Sequence, residues 1–148
     1  MKKNIITSII LIISISVNAQ NWNSKRVRGN GNIVTETRKT ADYDAISVGG
    51  SFDVVLVKGK EGNIHLKGEK NLMKYIVTEV SGNTLKINFK KKVNVRITRK
   101  FVITVPYNDI ESIALGGSGN ITSSQTIKAS DMALRLSGSG KIKVQLNA

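Results

Sequence analysis

Few side chains in this chain suit proton or metal chemistry, and their spacing keeps them apart. His65 is the single histidine among 148 residues, and it stands between Ile64 and Leu66. Successive side chains of a strand face opposite ways, so His65 points away from the face those two residues bury. A common metal or acid–base site needs more ligands, and the chain has no second histidine and no cysteine. Asp42 and Asp44 share one face of an extended segment and could act as an acid pair. The preferred reading makes both loop and turn residues ahead of Ile46, where a short carboxylate bonds nearby backbone. Asp53 fits a corner in the same way. Sugar-cleaving sites need clustered acids, a basic proton acceptor or bound calcium, and ten scattered carboxylates do not supply them. The residues define no catalytic set, no metal set and no cofactor motif.

What the chain holds in excess is positive charge. Lysine and arginine number 23 against 10 acids, a net +13. Such an excess favours anionic partners, namely acidic polysaccharide or lipid headgroups. Lys90, Lys91, Lys92, Arg96, Arg99 and Lys100 fall within eleven positions and form the best candidate contact for an anionic ligand. Arg96 alternates away from Val95 and Ile97 and so faces solvent, while Lys90 to Lys92 form a connection. Together they could grip phosphates or sulfated and carboxylated sugars. The other reading is a solvated face whose lysines keep strand edges from pairing with other chains. Nucleic acid is disfavoured, because stacking aromatics should then lie among the charges. Only Phe89 and Phe101 flank the cluster, and alternation turns both inward.

The elements that must position these residues are strands. Period-2 alternation recurs in Leu85, Ile87 and Phe89, in Val93, Val95 and Ile97, and in Phe101, Ile103 and Val105. It recurs again in Met132, Leu134 and Leu136, and in Ile142, Val144 and Leu146. The single proline, Pro106, falls at a strand end, where its missing donor does little harm. Leu72, Met73 and Ile76 alone have helical spacing, which predicts one or two turns within 69–76. Two hairpins are expected. One joins 77–80 to 84–89 through Ser81-Gly82-Asn83; a looser one joins 54–57 to 64–67.

One glycine motif recurs four times, opening at Gly29, Gly50, Gly117 and Gly138. The outer pairs are each 21 residues apart, and each motif ends in an aliphatic residue. A period near 20 with fixed glycines is a solenoid signature. Gly29, Gly31, Gly50, Gly117, Gly119, Gly138 and Gly140 are therefore expected to be structural corners, where a Cβ would be forbidden. Asn120, within an Asn-Ile-Thr glycosylation pattern, reads as a corner residue too. The fold class is all-β, a short parallel β-helix or β-solenoid with hairpin decoration.

The N-terminus reads as an export signal over residues 1–19. Lys2 and Lys3 precede an isoleucine-rich stretch, and Val17-Asn18-Ala19 offers small residues for cleavage. Removal leaves 129 residues, which suit one domain, with 21 basic against 10 acidic residues, a net +11. No later segment has the roughly 20 apolar residues of a membrane span. The periplasm, the outer surface or the medium is the expected location.

The chain resembles the head GIN domain family of auto-transporter adhesins of bacterial envelopes. The resemblance rests on the order of several elements over roughly 41–148. They are Tyr43-Asp44-Ala45-Ile46-Ser47-Val48, then Phe52-Asp53-Val54-Val55-Leu56, then Asn71-Leu72-Met73-Lys74-Tyr75-Ile76. Gly82-Asn83-Thr84-Leu85-Lys86-Ile87 and the two Gly-Ser-Gly corners follow. The resemblance implies an exported β-helix-like protein with a role in adhesion, and it carries no catalytic residue. Family members commonly run on through more Gly-Ser-Gly coils, so this chain is expected to be a truncated copy or a fragment, incomplete at its C-terminus. An uncapped coil leaves an open stacking edge and a tendency to associate end to end. The expected function is non-catalytic binding at the envelope. The rival readings are a passive structural or envelope-sensing module and, further off, a carbohydrate-active enzyme.

Overall fold

The computed structural model describes residues 24–147; the expected export signal at 1–19 lies outside them. Extended backbone dominates, as the alternating runs require. Strands β1 (Lys25–Arg28), β2 (Ile33–Lys39), β3 (Ala45–Gly49), β4 (Asp53–Lys58) and β5 (Asn63–Glu69) come first. A 3-10 turn at Lys70–Tyr75 follows, burying Leu72 and Met73. Then come β6 (Ile76–Ser81), β7 (Thr84–Phe89), β8 (Val93–Arg96) and β9 (Val102–Tyr107). The last third holds β10 (Ser112–Gly116), β11 (Asn120–Ser123), β12 (Ile127–Lys128), β13 (Ala133–Ser137), β14 (Lys141–Lys143) and β15 (Leu146–Asn147).

Two larger sheets enclose the core. One has the order β13-β10-β3-β7-β6 and the other β14-β11-β4-β9-β5-β2. Much of their pairing is parallel and in register. Ala45 stands opposite Thr84 and Ser112, and Ser112 opposite Ala133. Asp53 stands opposite Val102 and Asn120, and Asn120 opposite Lys141. Four strand–corner–strand segments thus lie on one another in the order 84–107, 45–58, 112–128 and 133–147. Their apolar residues form columns, such as Leu85, Ile46, Ile113 and Leu134 in one sheet. The first three are at most 1 % exposed and Leu134 is 46 % exposed, so the stack is covered at every level but the last. Each fully buried aliphatic side chain contributes about 1.5–3 kcal/mol, and these columns are the main source of stability.

Stacking order differs from chain order. After β4 the chain adds β5 to β9 on one flank of the 45–58 segment, then returns to the other flank. Gly50 and Gly117 are therefore distant in sequence and adjacent in space, with Gly50 N bonded to Gly116 O at 2.9 Å. Gly50, Gly117 and Gly138 stack in turn, as do Phe52, Gly119 and Gly140. A Cβ at Gly119 would come within 2.1 Å of Phe52 O, and one at Gly140 within 2.4 Å of Gly119 O. Only glycine lets the corners approach this closely. Gly29 and Gly31 are not part of this stack, a correction to the four-fold motif; they meet Glu69 instead.

The β6–β7 hairpin forms as an antiparallel pair with Ser81 opposite Thr84. Gly82 and Asn83 have φ of 57° and 59°, the double left-handed turn that matches strand twist. The looser hairpin from β4 to β5 does not form. β9 inserts between them, parallel to β4 and antiparallel to β5. β9 is deeply buried along one face and has no exposed residue, with Ile103, Val105 and Tyr107 all at 2 % exposure or less. Such a strand gains most from a partner on both sides. Gly68 in β5 leaves the space that the Phe101 ring fills; a Cβ there would lie 2.1 Å from the ring. Pro106 sits near the end of β9, past the last pair with β5 at Thr104 and His65.

Candidate functional site

The cationic residues gather on a two-stranded ribbon set in the long corner between β7 and β9. There β8 pairs in parallel with β1, placing Arg26 opposite Asn94, Val27 opposite Val95 and Arg28 opposite Arg96. Alternation sorts the faces. Val27, Val95 and Ile97 pack against the core, while Arg26, Arg28, Asn94 and Arg96 are exposed. Lys90, Lys91 and Lys92 form the exposed turn leading into the ribbon, and Lys92 adopts φ 60° there. Lys25 and Lys74 hold their ammonium groups 5.5 and 5.3 Å from the centre of the Tyr75 ring. A hydrogen bond from Lys25, with the nearby positive charges, holds the Tyr75 hydroxyl below the usual tyrosine range.

Like charges directly opposite on neighbouring strands destabilise the pair, and Arg28 and Arg96 are in that relation. Among the described residues the ion pairs are Arg38–Glu36 at 2.5 Å and Lys100–Asp53 at 3.5 Å. None neutralises the ribbon. The six-residue cluster seen in sequence is thus divided. Lys90, Lys91, Lys92 and Arg96 belong to the ribbon. Arg99 lies just beyond it. Lys100 is engaged by Asp53 on the outer face of the six-stranded sheet, near Lys141 and Lys143. Sequence reasoning missed Lys25, Arg26 and Arg28. Their available signal was the Lys-Arg-Val-Arg pattern, which alternates as Val-Asn-Val-Arg does.

A buried carboxylate ties the ribbon down. Glu69 is fully buried at the end of β5. Its Oε1 accepts from Gly31 N at 2.8 Å and from the Thr98 hydroxyl. Its Oε2 accepts from Thr98 N at 2.9 Å and Arg99 N at 3.3 Å. The segments following β1 and β8 are thereby held by one side chain. Gly29 is required beside it, since a Cβ would lie 2.0 Å from the carboxylate. Asn71 adds two bonds, accepting from Asn30 N at 3.0 Å and donating to Arg28 O at 2.8 Å. Burial pushes the Glu69 pKa up. The Thr98 hydroxyl and the N–H groups of Thr98, Gly31 and Arg99 outweigh it and hold the carboxyl below its ordinary value.

Of the sequence's acid–base candidates, His65 stays apart from Asp42 and Asp44. His65 is exposed, with Nδ1 2.9 Å from the Thr37 hydroxyl. Asp42 and Asp44 border a shallow depression with Glu61, Asn83, Asn108 and Asp109. Tyr43 beside them donates its hydroxyl to Pro106 O. Burial, with Glu61 and Asp42 adding to it, pushes the Tyr43 hydroxyl above the tyrosine range. Asp53 accepts from Asn120 Nδ2 at 2.7 Å on the outer sheet face. Among the described residues, no group of three or more His, Cys, Asp or Glu is placed to hold a metal ion, and no helix is long and apolar enough to cross a membrane.

The fold and site define an all-β protein of stacked parallel strands that carries an exposed basic ribbon. The chain belongs to the family described as "Putative auto-transporter adhesin, head GIN domain", whose model matches residues 42–148. β1, which supplies half the ribbon, precedes that span. No curated protein sequence matches the chain. Among solved structures, a "putative lipid binding protein" from Parabacteroides distasonis is similar, with a TM-score of 0.75 and 30 % identity over 82 % of this chain and 53 % of its own. A "putative adhesin" from Bacteroides fragilis has a TM-score of 0.75 at 19 % identity, over 82 % of this chain and 57 % of that one. Another from Parabacteroides merdae has 0.68 at 22 %, over 76 % and 47 %. The latter two likenesses speak to fold alone, and the chain spans about half the length of these structures. The names in this family and among these neighbours are those of adhesins and binding proteins, not of enzymes.

Proposed function

We propose that this protein is an exported, non-catalytic binding module of the cell envelope, a short parallel β-solenoid that presents its arginine ribbon to anionic surface groups. The observation that carries this reading is the in-register Arg28–Arg96 pair, with Arg26 and Lys90 to Lys92 beside it and, among the described residues, no ion pair to any of them. Packing cations together on a folded surface costs free energy that an anion bound across them returns. Guanidinium forks suit phosphate, sulfate and carboxylate alike. The adhesin description of the family and its link to the envelope support the location and the binding role. The reading contains no catalytic step: His65, Asp42 and Asp44 offer no constellation that a sugar-cleaving enzyme would use.

A second reading has an observation of its own. β1 and β8 form a sheet of two strands only, and basic side chains on such edges block pairing with other chains. The ribbon would then be a guard on a passive structural module.

Binding of the purified full chain to acidic polysaccharides and to vesicles with anionic headgroups separates the two. The comparison protein is Arg26→Glu/Arg28→Glu/Arg96→Glu, beside a control, Lys141→Glu/Lys143→Glu. Saturable binding that the ribbon variant loses by tenfold or more, about 1.4 kcal/mol, supports the ligand site. Equal behaviour of all three proteins leaves the guard.

A further inference from the structure

The basic ribbon has two faces, and its first residue serves the inner one. Arg26, Arg28 and Arg96 stand on the outward face. Alternation puts Lys25 on the same side as Val27, which packs against the core. On that side the 3-10 turn brings up Lys74 and Tyr75. The ammonium groups of Lys25 and Lys74 stand 5.5 and 5.3 Å from the centre of the Tyr75 ring, and both favour the ionised form of its hydroxyl. Two cations and one hydroxyl, drawn from two separate elements, thus meet at one point.

Backbone hydrogen bonds fix that point at the start of the ribbon. Lys90 N donates to Tyr75 O at 2.8 Å, and Lys25 N donates to Lys92 O at 3.0 Å. The exposed turn of Lys90, Lys91 and Lys92 is therefore tied at one end to Tyr75 and at the other to Lys25. It carries positive charge around the ribbon's end, from the Lys25 side to the arginine side. Among the described residues, no ion pair engages Lys25, Lys74 or the turn lysines.

We propose that Lys25, Lys74 and the Tyr75 hydroxyl form a second anion subsite, and that the ribbon's ligand is a flexible acidic polysaccharide that passes around the turn to occupy both faces. The inference rests on the reading of the ribbon as an anion-binding face and adds the class of ligand. A hydroxyl donates readily to a sulfate or carboxylate that two ammoniums hold. The Arg28–Arg96 pair lies three residues along β1 from Lys25, about 10 Å, and on the other side of the ribbon. One acidic group cannot bridge the two. The flat surface of a bilayer presents its headgroups to one face only. A chain with acidic groups along it and rotatable bonds between them reaches both, and the first contact raises the effective concentration for the second. A nucleic acid strand would stack its bases, and the ammoniums stand over the ring that would receive them.

The probes are dextran sulfate and phosphatidylglycerol vesicles, each titrated into the full chain. Lys25→Ala/Lys74→Ala should weaken dextran sulfate binding by about tenfold. Lys141→Ala/Lys143→Ala makes the same change of charge elsewhere and should not. Tyr75 supplies a signal of its own. Burial pushes the Tyr43 and Tyr107 hydroxyls up, so Tyr75 is the first of these three tyrosines to ionise in an ultraviolet pH titration, a step that Tyr75→Phe removes. Dextran sulfate seated on Lys25 and Lys74 should move that step to higher pH, and vesicles should leave it in place. Equal losses in the two lysine variants overturn the proposal. So does a Tyr75 step that dextran sulfate does not move, or one that vesicles move as far. In each of those cases a loss of binding in Arg26→Glu/Arg28→Glu/Arg96→Glu still upholds the ribbon as an anion-binding face. Binding of neither probe by the wild type overturns both readings.

Discussion

Glu69 fastens two distant segments through one side chain. Four donors converge on it from two segments, and replacing the carboxylate with an amide turns donor against donor. Glu69→Gln is expected to destabilise the fold by about 2–3 kcal/mol, measured by urea denaturation. The pKa of this group is lower in the folded chain than in the unfolded one. Its contribution is complete above the unfolded value, near 4.5, and is lost as pH falls through the folded value. Thermal melts on the acid side of that value should show wild-type stability falling more steeply than that of Glu69→Gln. Gly119 is the matching test of the corners. Gly119→Ala places a methyl against Phe52 O, and a loss of about 3 kcal/mol or more is expected from backbone that cannot give way. The corner glycines at 50, 117 and 138 were legible in sequence because stacked corners reuse the same letters, not because of one spacing, since the intervals are 67 and 21 residues. Glu69 was not, since nothing in a local pattern marks an inward carboxylate whose partners lie far along the chain. Gly29 and Gly31 misled for the same reason, sharing the letters of the corners while serving the clasp.

At the scale of elements, local signals were readable and long-range pairings were not. Alternation located the strands, and Gly82-Asn83 located the tight hairpin, because both are set by neighbours in sequence. The insertion of β9 between β4 and β5 was hidden, because it depends on a pairing with residues far along the chain, not on loop length. The β1–β8 ribbon was hidden too. Parallel pairing leaves no turn between its partners, so half of the candidate site could not be placed. The ribbon rests on Val27 and Val95. Val95→Asp should unseat it, seen as loss of amide protection over 25–28 and 93–96 with the columns of the core still protected. Arg38 offers a contrast on β2. It donates to Met73 O at 2.8 Å and Ile76 O at 2.7 Å, fastening β2 to the 3-10 turn. Arg38→Ala should cost about 2 kcal/mol by denaturation and leave the ribbon's charge untouched.

Across the whole molecule, charge is divided as well as excessive. The corner entering the five-stranded sheet carries Asp42, Asp44, Asp109, Glu111 and Asp131, and the ribbon stands at the other end of those strands. The net charge was plain from composition, and its sorting was not, since the stacking order departs from the chain order. This division sets a basic face for anionic ligands apart from the acidic corner. The most direct test of the ligand face is its position. Titrating a sulfated oligosaccharide into the isotope-labelled full chain and following backbone amides would locate the contact. The account predicts shifts concentrated over 25–28 and 90–96, diminishing as salt screens the charges. Shifts spread evenly over the other exposed lysines, Lys67, Lys141 and Lys143 among them, or no shifts at all, would contradict it.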